Sequence, residues 1–434
     1  MKWVVASSLL LILHAPAPAA AQTPVRLTLQ EAIARGLEAS HRLAEIGARQ
    51  EAAEAVSDQR KAASMPQVAL LAGYTRTNHV DEFGIPGARV IYPDIPDNIR
   101  SRVDLQWPIY TGGRVSALTR AAAAEASAIA QDREAARADL RLEIARAYWA
   151  VITARASADV VNQALGRIGA HLNDVRNQLN VGLVPPSDVL SLEAQQARQQ
   201  QILIEAENLA DIASFDFRRL VGLAPDAPFE LADRIDTPTA ASPEIDAMVE
   251  AARANRAERK ALEIRIEGLG ERLTAAEAGR APLVSTAGGF DMARPNPKIF
   301  PRQDAWKPSW DLGVNVSWSL FDGGRARAEV AEAAANRKAA EERLKDFDVT
   351  VATDVRQRAS DLASARAAIA AADIGVRSAT EARRVIAERF SSGVATNTDV
   401  LDAQVALLQA ELDRTRALAN LRLAEARLNR AMGR

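Results

Sequence analysis

The chain is written twice. Trp107 in the segment Trp107-Pro-Ile-Tyr-Thr-Gly-Gly113 returns 211 residues later as Trp318 in Trp318-Ser-Leu-Phe-Asp-Gly-Gly324. Gly182 and Asp188 return as Gly393 and Asp399, and Gly222 as Gly433, at the same offset. One register held from the first of these landmarks to the last argues for duplication of a supersecondary unit, so whatever one half folds into the other must also form. The first repeat covers residues 22–222, with helix over Leu29–Ser64, strands at about 66–76 and 101–110, a long helix over 113–180 and a closing helix over 187–222. The second covers 244–434, with helix over Ile245–Gly279, strands at about 283–292 and 310–321, a long helix over 324–391 and a closing helix over 398–433. Between them lies a linker, 223–243, marked by Pro225, Pro228, Pro238 and Pro243.

The second strand of each half alternates cleanly. Val103, Leu105, Trp107 and Ile109 fall on one face and Arg102, Asp104 and Gln106 on the other; in the second half Trp310, Leu312, Val314, Val316, Trp318 and Leu320 oppose Asp311, Asn315, Ser317 and Ser319. The first strands are weaker, with Val68, Leu70 and Tyr74 on one side. A half-buried soluble sheet and a membrane wall both produce this pattern. Four of the six tryptophans, Trp107, Trp306, Trp310 and Trp318, lie in or beside these strands, and that favours the membrane wall with its interfacial aromatics, among which Tyr74 also counts. Four strands cannot close in lipid, where an unpaired edge costs several kcal/mol per backbone group. Oligomerisation follows. Two chains would give eight strands around a filled interior, and three are the smallest number that leaves a water-filled bore.

The long helices set a second constraint. No proline occurs between Gly113 and Gly182, and about 65 helical residues extend on the order of 100 Å. The rod from Gly324 to about Arg389 matches it, and neither can be buried in a compact domain. In the closing helix Leu401, Val405, Leu408, Leu412, Thr415 and Ala419 recur at spacings of four and three, a coiled-coil seam. Both hairpin loops, Asn78–Ile99 and Ala293–Lys307, leave the strands at the end away from the helices, which places the loops outside and the helices in the compartment entered on export.

Export itself is expected from Lys2, the apolar run Val4–Leu13 and the small residues Ala19, Ala20 and Ala21 before Gln22, a signal peptide spanning 1–21. The run is half the length of a membrane-spanning helix. A net charge of −2 with interspersed signs gives no electrostatic case for nucleic acid. The absence of cysteine removes disulfides, thiolate metal sites and an N-terminal lipid anchor. His14, His41, His79 and His171 are scattered without metal-ligand spacing, and the Gly-Gly pairs lack a phosphate-loop lysine, so neither a metal, a cofactor nor a catalytic site is expected.

Taken with the turns Asn180-Val-Gly-Leu-Val-Pro-Pro-Ser-Asp188-Val-Leu190 and Ser391-Ser-Gly-Val-Ala-Thr-Asn-Thr-Asp399-Val-Leu401, the duplicated strand–Gly-Gly–long-helix plan resembles the outer-membrane efflux protein family, the TolC-like outer membrane factors, over nearly the whole mature chain. The resemblance implies a mainly α fold with a membrane β-barrel portion: a homotrimer with a twelve-stranded barrel continuous with a twelve-helix periplasmic tunnel and an equatorial belt, to which the linker belongs. It implies an exit duct in the outer membrane. Its partners would be outer-membrane lipid, a periplasmic adaptor (membrane fusion) protein and an inner-membrane pump of the RND, ABC or MFS type. The junctions are Gly112-Gly113 and Gly323-Gly324, and the tips Val181-Gly182-Leu183 and Ser392-Gly393-Val394 resemble adaptor-docking points. Asp399 and Asp402 match aspartates that in the family project into the tunnel mouth, as two stacked carboxylate rings at a periplasmic gate. Physically, Ser187, Thr398 or the following aspartate suit helix N-caps, and capping alone also accounts for Asp188. Ala395 and Phe390 replace a basic residue and a tyrosine of the family's closed gate, so a latch here would rest on packing and on Arg389 or other bonds. A type I protein secretion duct shares this architecture with small-molecule efflux, and a periplasmic coiled-coil protein is the reading of another class; it explains the helices but not the strands or their tryptophans.

Overall fold

The computed structural model describes residues 24–235, apart from Pro86 and Ala88, and 244–434. The expected signal peptide at 1–21 and residues 236–243 of the expected linker lie outside them. In chain order the elements are β1 (Val25–Leu27), α1 (Leu29–Ala39), α2 (His41–Ala62), β2 (Gln67–Arg76), β3 (Phe83–Ile85), β4 (Arg89–Tyr92), β5 (Asp97–Tyr110), α3 (Arg114–Asn180) and α4 (Pro186–Leu220). They continue with β6 (Phe229–Leu231), α5 (Ile245–Asn255), α6 (Ala257–Glu277), β7 (Leu283–Arg294), β8 (Lys307–Ser317), α7 (Arg325–Ser391) and α8 (Asn397–Ala431).

The two halves carry long helices of equal length. α3 and α7 each run 67 residues without interruption, and α4 and α8 each run 35. Left-handed glycines recur in matched pairs at the ends of these helices: Gly112 and Gly323, Gly113 and Gly324, Gly182 and Gly393, Gly222 and Gly433.

β2, β5, β7 and β8 form one antiparallel sheet in that spatial order, so the last strand of the first half pairs with the first strand of the second. β5 starts earlier than alternation suggested, at Asp97. β8 ends at Ser317, so Trp318 and Leu320 lie beyond the strand expected over 310–321. Ser317 pairs with Leu283, the first residue of β7, so the ladder stops where the partner strand begins. The expected first loop holds a small hairpin of its own, β3 with β4, and the expected linker holds β6, which pairs in parallel with β1.

The chain divides into two compact units. In the first (residues 24–39, 144–235 and 372–419), the β1–β6 ribbon meets Tyr148 and Phe217, both buried. The Tyr148 ring meets Phe217 edge-on at 5.9 Å. Its hydroxyl lies 2.9 Å from an Asp233 carboxylate oxygen and 3.1 Å from the Leu27 carbonyl, and it accepts the Asp233 N–H. Burial pushes that phenol above its usual range.

The second unit (residues 40–143, 244–371 and 420–434) holds the sheet and a core in which Val351, Val355 and Leu362 of α7 meet Met248 and Ala252 of α5 and Leu421, Leu428 and Met432 at the chain's end. On α8 the fully buried line is Val400, Gln404 and Leu407; Leu401 and Leu408 are half-buried and Val405 is exposed. Over 400–407 the protomer's buried line therefore runs one residue ahead of the expected seam, while Thr415 of that seam is buried.

Candidate functional site

Strand pairing turns the alternation of single strands into two continuous faces. One row runs Leu70, Val103, Phe290 and Trp310 across all four strands, and a parallel row runs Val68, Leu105, Gly288 and Leu312. On the opposite face the rows are Leu71, Arg102, Asp291 and Ser309, and Ala69, Asp104, Gly289 and Asp311. The apolar face is exposed, Val68, Leu70, Trp310, Leu312, Val314 and Val316 among its residues, and β2 is exposed along its whole length. Water gives such a face no reason to exist.

The polar face is organised around Arg102. Its guanidinium meets Asp104 at 2.6 Å, Asp291 at 2.5 Å and Asp311 at 2.8 Å. Gly289 makes this possible, since a β-carbon there would lie 2.6 Å from the guanidinium carbon. No signal within a single strand predicts this network, because its members come from three strands.

The aromatic residues singled out by sequence sit at two levels. Tyr74 is near the loop end of β2, where its hydroxyl donates to Asp97 at 2.7 Å. Trp310 is near the same end of β8. Trp107 and Trp318 lie toward the helices, and their indole N–H groups donate to the carbonyls of Ser64 (3.1 Å) and Arg280 (3.0 Å). Trp310 and Trp318 are eight residues apart, roughly 26 Å at strand rise. That is close to the roughly 25 Å height of a barrel's apolar band.

At the other candidate site the two helix turns are built alike. Gly182 (φ 77°) and Gly393 (φ 72°) end α3 and α7 in the left-handed region, where any side chain is strained. In the first turn the Gly182 N–H donates to Leu179 O and the Leu183 N–H to Gln178 O; in the second, Gly393 and Val394 donate to Phe390 O and Arg389 O. Val181, Leu183, Ser392 and Val394 are exposed beside them.

The caps are not those expected. α4 begins at Pro186 after Pro185, which has no side chain to cap with; Ser187 and Asp188 lie inside the first turn. α8 is capped by Thr396, not Thr398: Thr396 Oγ1 accepts the Asp399 N–H at 3.2 Å, while the Thr396 N–H and hydroxyl donate to Asp399 Oδ2 at 2.8 and 2.7 Å. This is a capping box, with Asp399 as its acidic member. Those two donors hold the Asp399 carboxyl below the usual carboxylate range. Asp399 and Asp402 are both exposed, three residues apart on one helix face.

Sequence reasoning passed over the polar groups behind these tips. His171 of α3, set aside as scattered, is buried, with Nε2 2.9 Å from Asn397 Oδ1; Asn397 Nδ2 donates in turn to the Asp188 carbonyl at 3.4 Å. Phe390 meets the His171 ring edge-on at 5.1 Å within a cluster that includes Leu172, Val175, Val189 and Leu192. Arg167 pairs with Glu411 at 2.7 Å. Partners this far apart in sequence leave no local signal.

Residues 32–223 and 248–434 match the family described as outer membrane efflux protein. The outer membrane protein TolC of Vibrio cholerae is 24% identical over 393 residues, 90% of this chain and 87% of that protein. Protein CyaE of Bordetella pertussis is 26% identical over 418 residues, covering 94% and 85%. Among solved structures, the outer membrane protein VceC of Vibrio cholerae superposes with a TM-score of 0.78 at 21% identity, covering 93% of this chain and 96% of that one.

Proposed function

Because the chain belongs to the outer membrane efflux protein family, and so is an outer-membrane channel rather than an enzyme, we propose that three copies form the exit duct of a tripartite pump. In this reading twelve strands close the barrel, twelve long helices surround the periplasmic bore, and small molecules pass outward without being bound. The observation that carries it is the sheet: four strands with one mainly apolar face, whose edges β2 and β8 have no strand partner among the described residues. Lipid on the apolar face and neighbouring copies at both edges satisfy what a lone chain leaves open.

Tyr74 and Trp310 then mark the outer aromatic girdle, and Trp107 and Trp318 the periplasmic one. The tips around Gly182 and Gly393 dock a periplasmic adaptor, which couples the duct to an inner-membrane pump of the RND, ABC or MFS type. Asp402, with Asp399 anchored in its cap, rings the tunnel mouth with carboxylate. In place of the family's tyrosine and basic residue, Phe390 packed on His171 and the Arg167–Glu411 pair hold the helix pairs together at that mouth.

The test is cargo accumulation. Deleting the gene should raise cellular retention of a fluorescent cationic dye, and the wild-type chain on a plasmid should restore it. Unchanged retention, with a secreted protein missing from the medium instead, would move the assignment to type I protein secretion.

A further inference from the structure

Asp291 is out of place for a residue on a water-lined wall. It lies mid-strand on the polar face of the sheet, yet its side chain is only 2% exposed. Two of the cations that cover it belong to the wall itself: Arg100 at 2.8 Å and Arg102 at 2.5 Å, both on β5. The third does not. Lys298 comes from the loop between β7 and β8, reaches Asp291 at 3.0 Å and also pairs with Asp311 of β8. A loop lysine can touch two carboxylates on the polar face only if the loop turns back over that face.

Three further contacts fix the loop in that position. Asn296 is 2% exposed. Its amide donates to Lys307 O at 2.8 Å and Ser309 Oγ at 2.9 Å, and its carbonyl accepts the Lys298 N–H at 2.9 Å. Arg294 and Asp304 close the neck of the loop through two parallel bonds of 2.7 and 2.9 Å. Arg302 donates to the Tyr92 hydroxyl at 2.8 Å, with its guanidinium 5.2 Å above the Tyr92 ring, which ties the loop to the β3–β4 hairpin of the first repeat.

The loop's largest apolar side chains are left unpacked. Phe300 is 76% exposed and Trp306 43%. A cleft of about 520 Å³, lined by Gly73, Arg100, Arg102, Pro295, Pro297 and Arg302 among others, separates it from β2 and β5. Charge and hydrogen bonds hold this loop, and exposed ion pairs weaken with salt.

We propose that residues 295–306 form an inward strap across the outer mouth of the duct, with Lys298 as its fastening residue. This rests on the duct reading, in which the polar face lines the bore. Each protomer contributes one strap, so the outer mouth is narrower than the barrel and limits what leaves it, separately from any constriction at the periplasmic tips.

The experiment is single-channel recording of the purified protein in planar bilayers of neutral lipid, comparing wild type with Lys298→Ala, Lys298→Gln and Asn296→Ala. Assembly of each variant is checked by its mass in detergent. Releasing three straps should raise conductance by about half or more, in all three variants and most at low salt, where the wild-type pairs are strongest. Assembled variants with wild-type conductance at both low and high salt would overturn the strap while leaving the duct intact. A wild-type protein that forms no channels would remove the duct reading, and the strap with it.

Discussion

Trp318 donates its indole N–H to the carbonyl of Arg280 at 3.0 Å, and its counterpart Trp107 does the same to Ser64 at 3.1 Å. Each bond ties a tryptophan at the helix-side end of a half's second strand, inside β5 for Trp107 and one residue past β8 for Trp318, to a carbonyl at the end of the helical stretch before the first strand. Trp318 is held this way although it lies outside the strand ladder. Replacing it with Phe keeps the apolar ring and orphans one acceptor, so the expected loss is about 1 kcal/mol. Thermal dissociation of the purified assembly should fall for Trp318→Phe and Trp107→Phe alike, and a change in neither would separate the indoles from stability.

The Thr396–Asp399 box predicts that Thr396→Ala costs about 1 kcal/mol at the start of α8, whereas Thr398→Ala costs little. Hydrogen exchange over residues 389–400 reads this directly. The sign of the pH dependence follows from the lowered Asp399 pKa. The carboxylate's contribution is complete above the ordinary carboxylate range and is lost as pH falls through the folded, lower value. Protection of these amides, corrected for the intrinsic pH dependence of exchange, should therefore hold steady at neutral pH and be lost only in acid, below the ordinary carboxylate range. A midpoint near neutrality would point to another group.

Gly393 has open space around it, so only its backbone angle resists substitution. Gly393→Ala should cost roughly 1 to 2 kcal/mol, and Gly393→Asn less, since asparagine tolerates the left-handed region. Protease cleavage rates at the α7–α8 turn should rank glycine slowest, then asparagine, then alanine.

If the acidic residues of three copies converge at the tunnel mouth, Asp399→Ala together with Asp402→Ala should weaken block of the channel by divalent or trivalent cations added from the helical side. Block of unchanged strength would refute the carboxylate rings. Asp402→Ala alone isolates the ring from the cap, because only Asp399 serves both.

Much of this architecture was legible from residue order. Matched tryptophans and glycines disclosed the duplication, and the alternation from Trp310 to Val316 disclosed a two-faced strand that the pairing register extends across the sheet. The end of β8 was not legible, because it depends on where its partner strand β7 begins. On α8 the protomer's buried line over Val400, Gln404 and Leu407 departs from the expected seam while Thr415 keeps to it, because alanine-rich helices offer several nearly equivalent apolar faces. The cap was misplaced by two positions, although Thr396-Asn-Thr-Asp399 carries the pattern in plain view. Asp291 under its three cations, and His171 against Asn397, 226 residues away, depend on tertiary proximity that no local pattern encodes.

The central claim is that four strands per chain are incomplete until copies join edge to edge. The mass of the particle extracted from outer membranes, measured in detergent with the bound detergent subtracted, tests it most directly. Three chains per particle are predicted, and a monodisperse monomer that stays in solution without detergent would contradict the account.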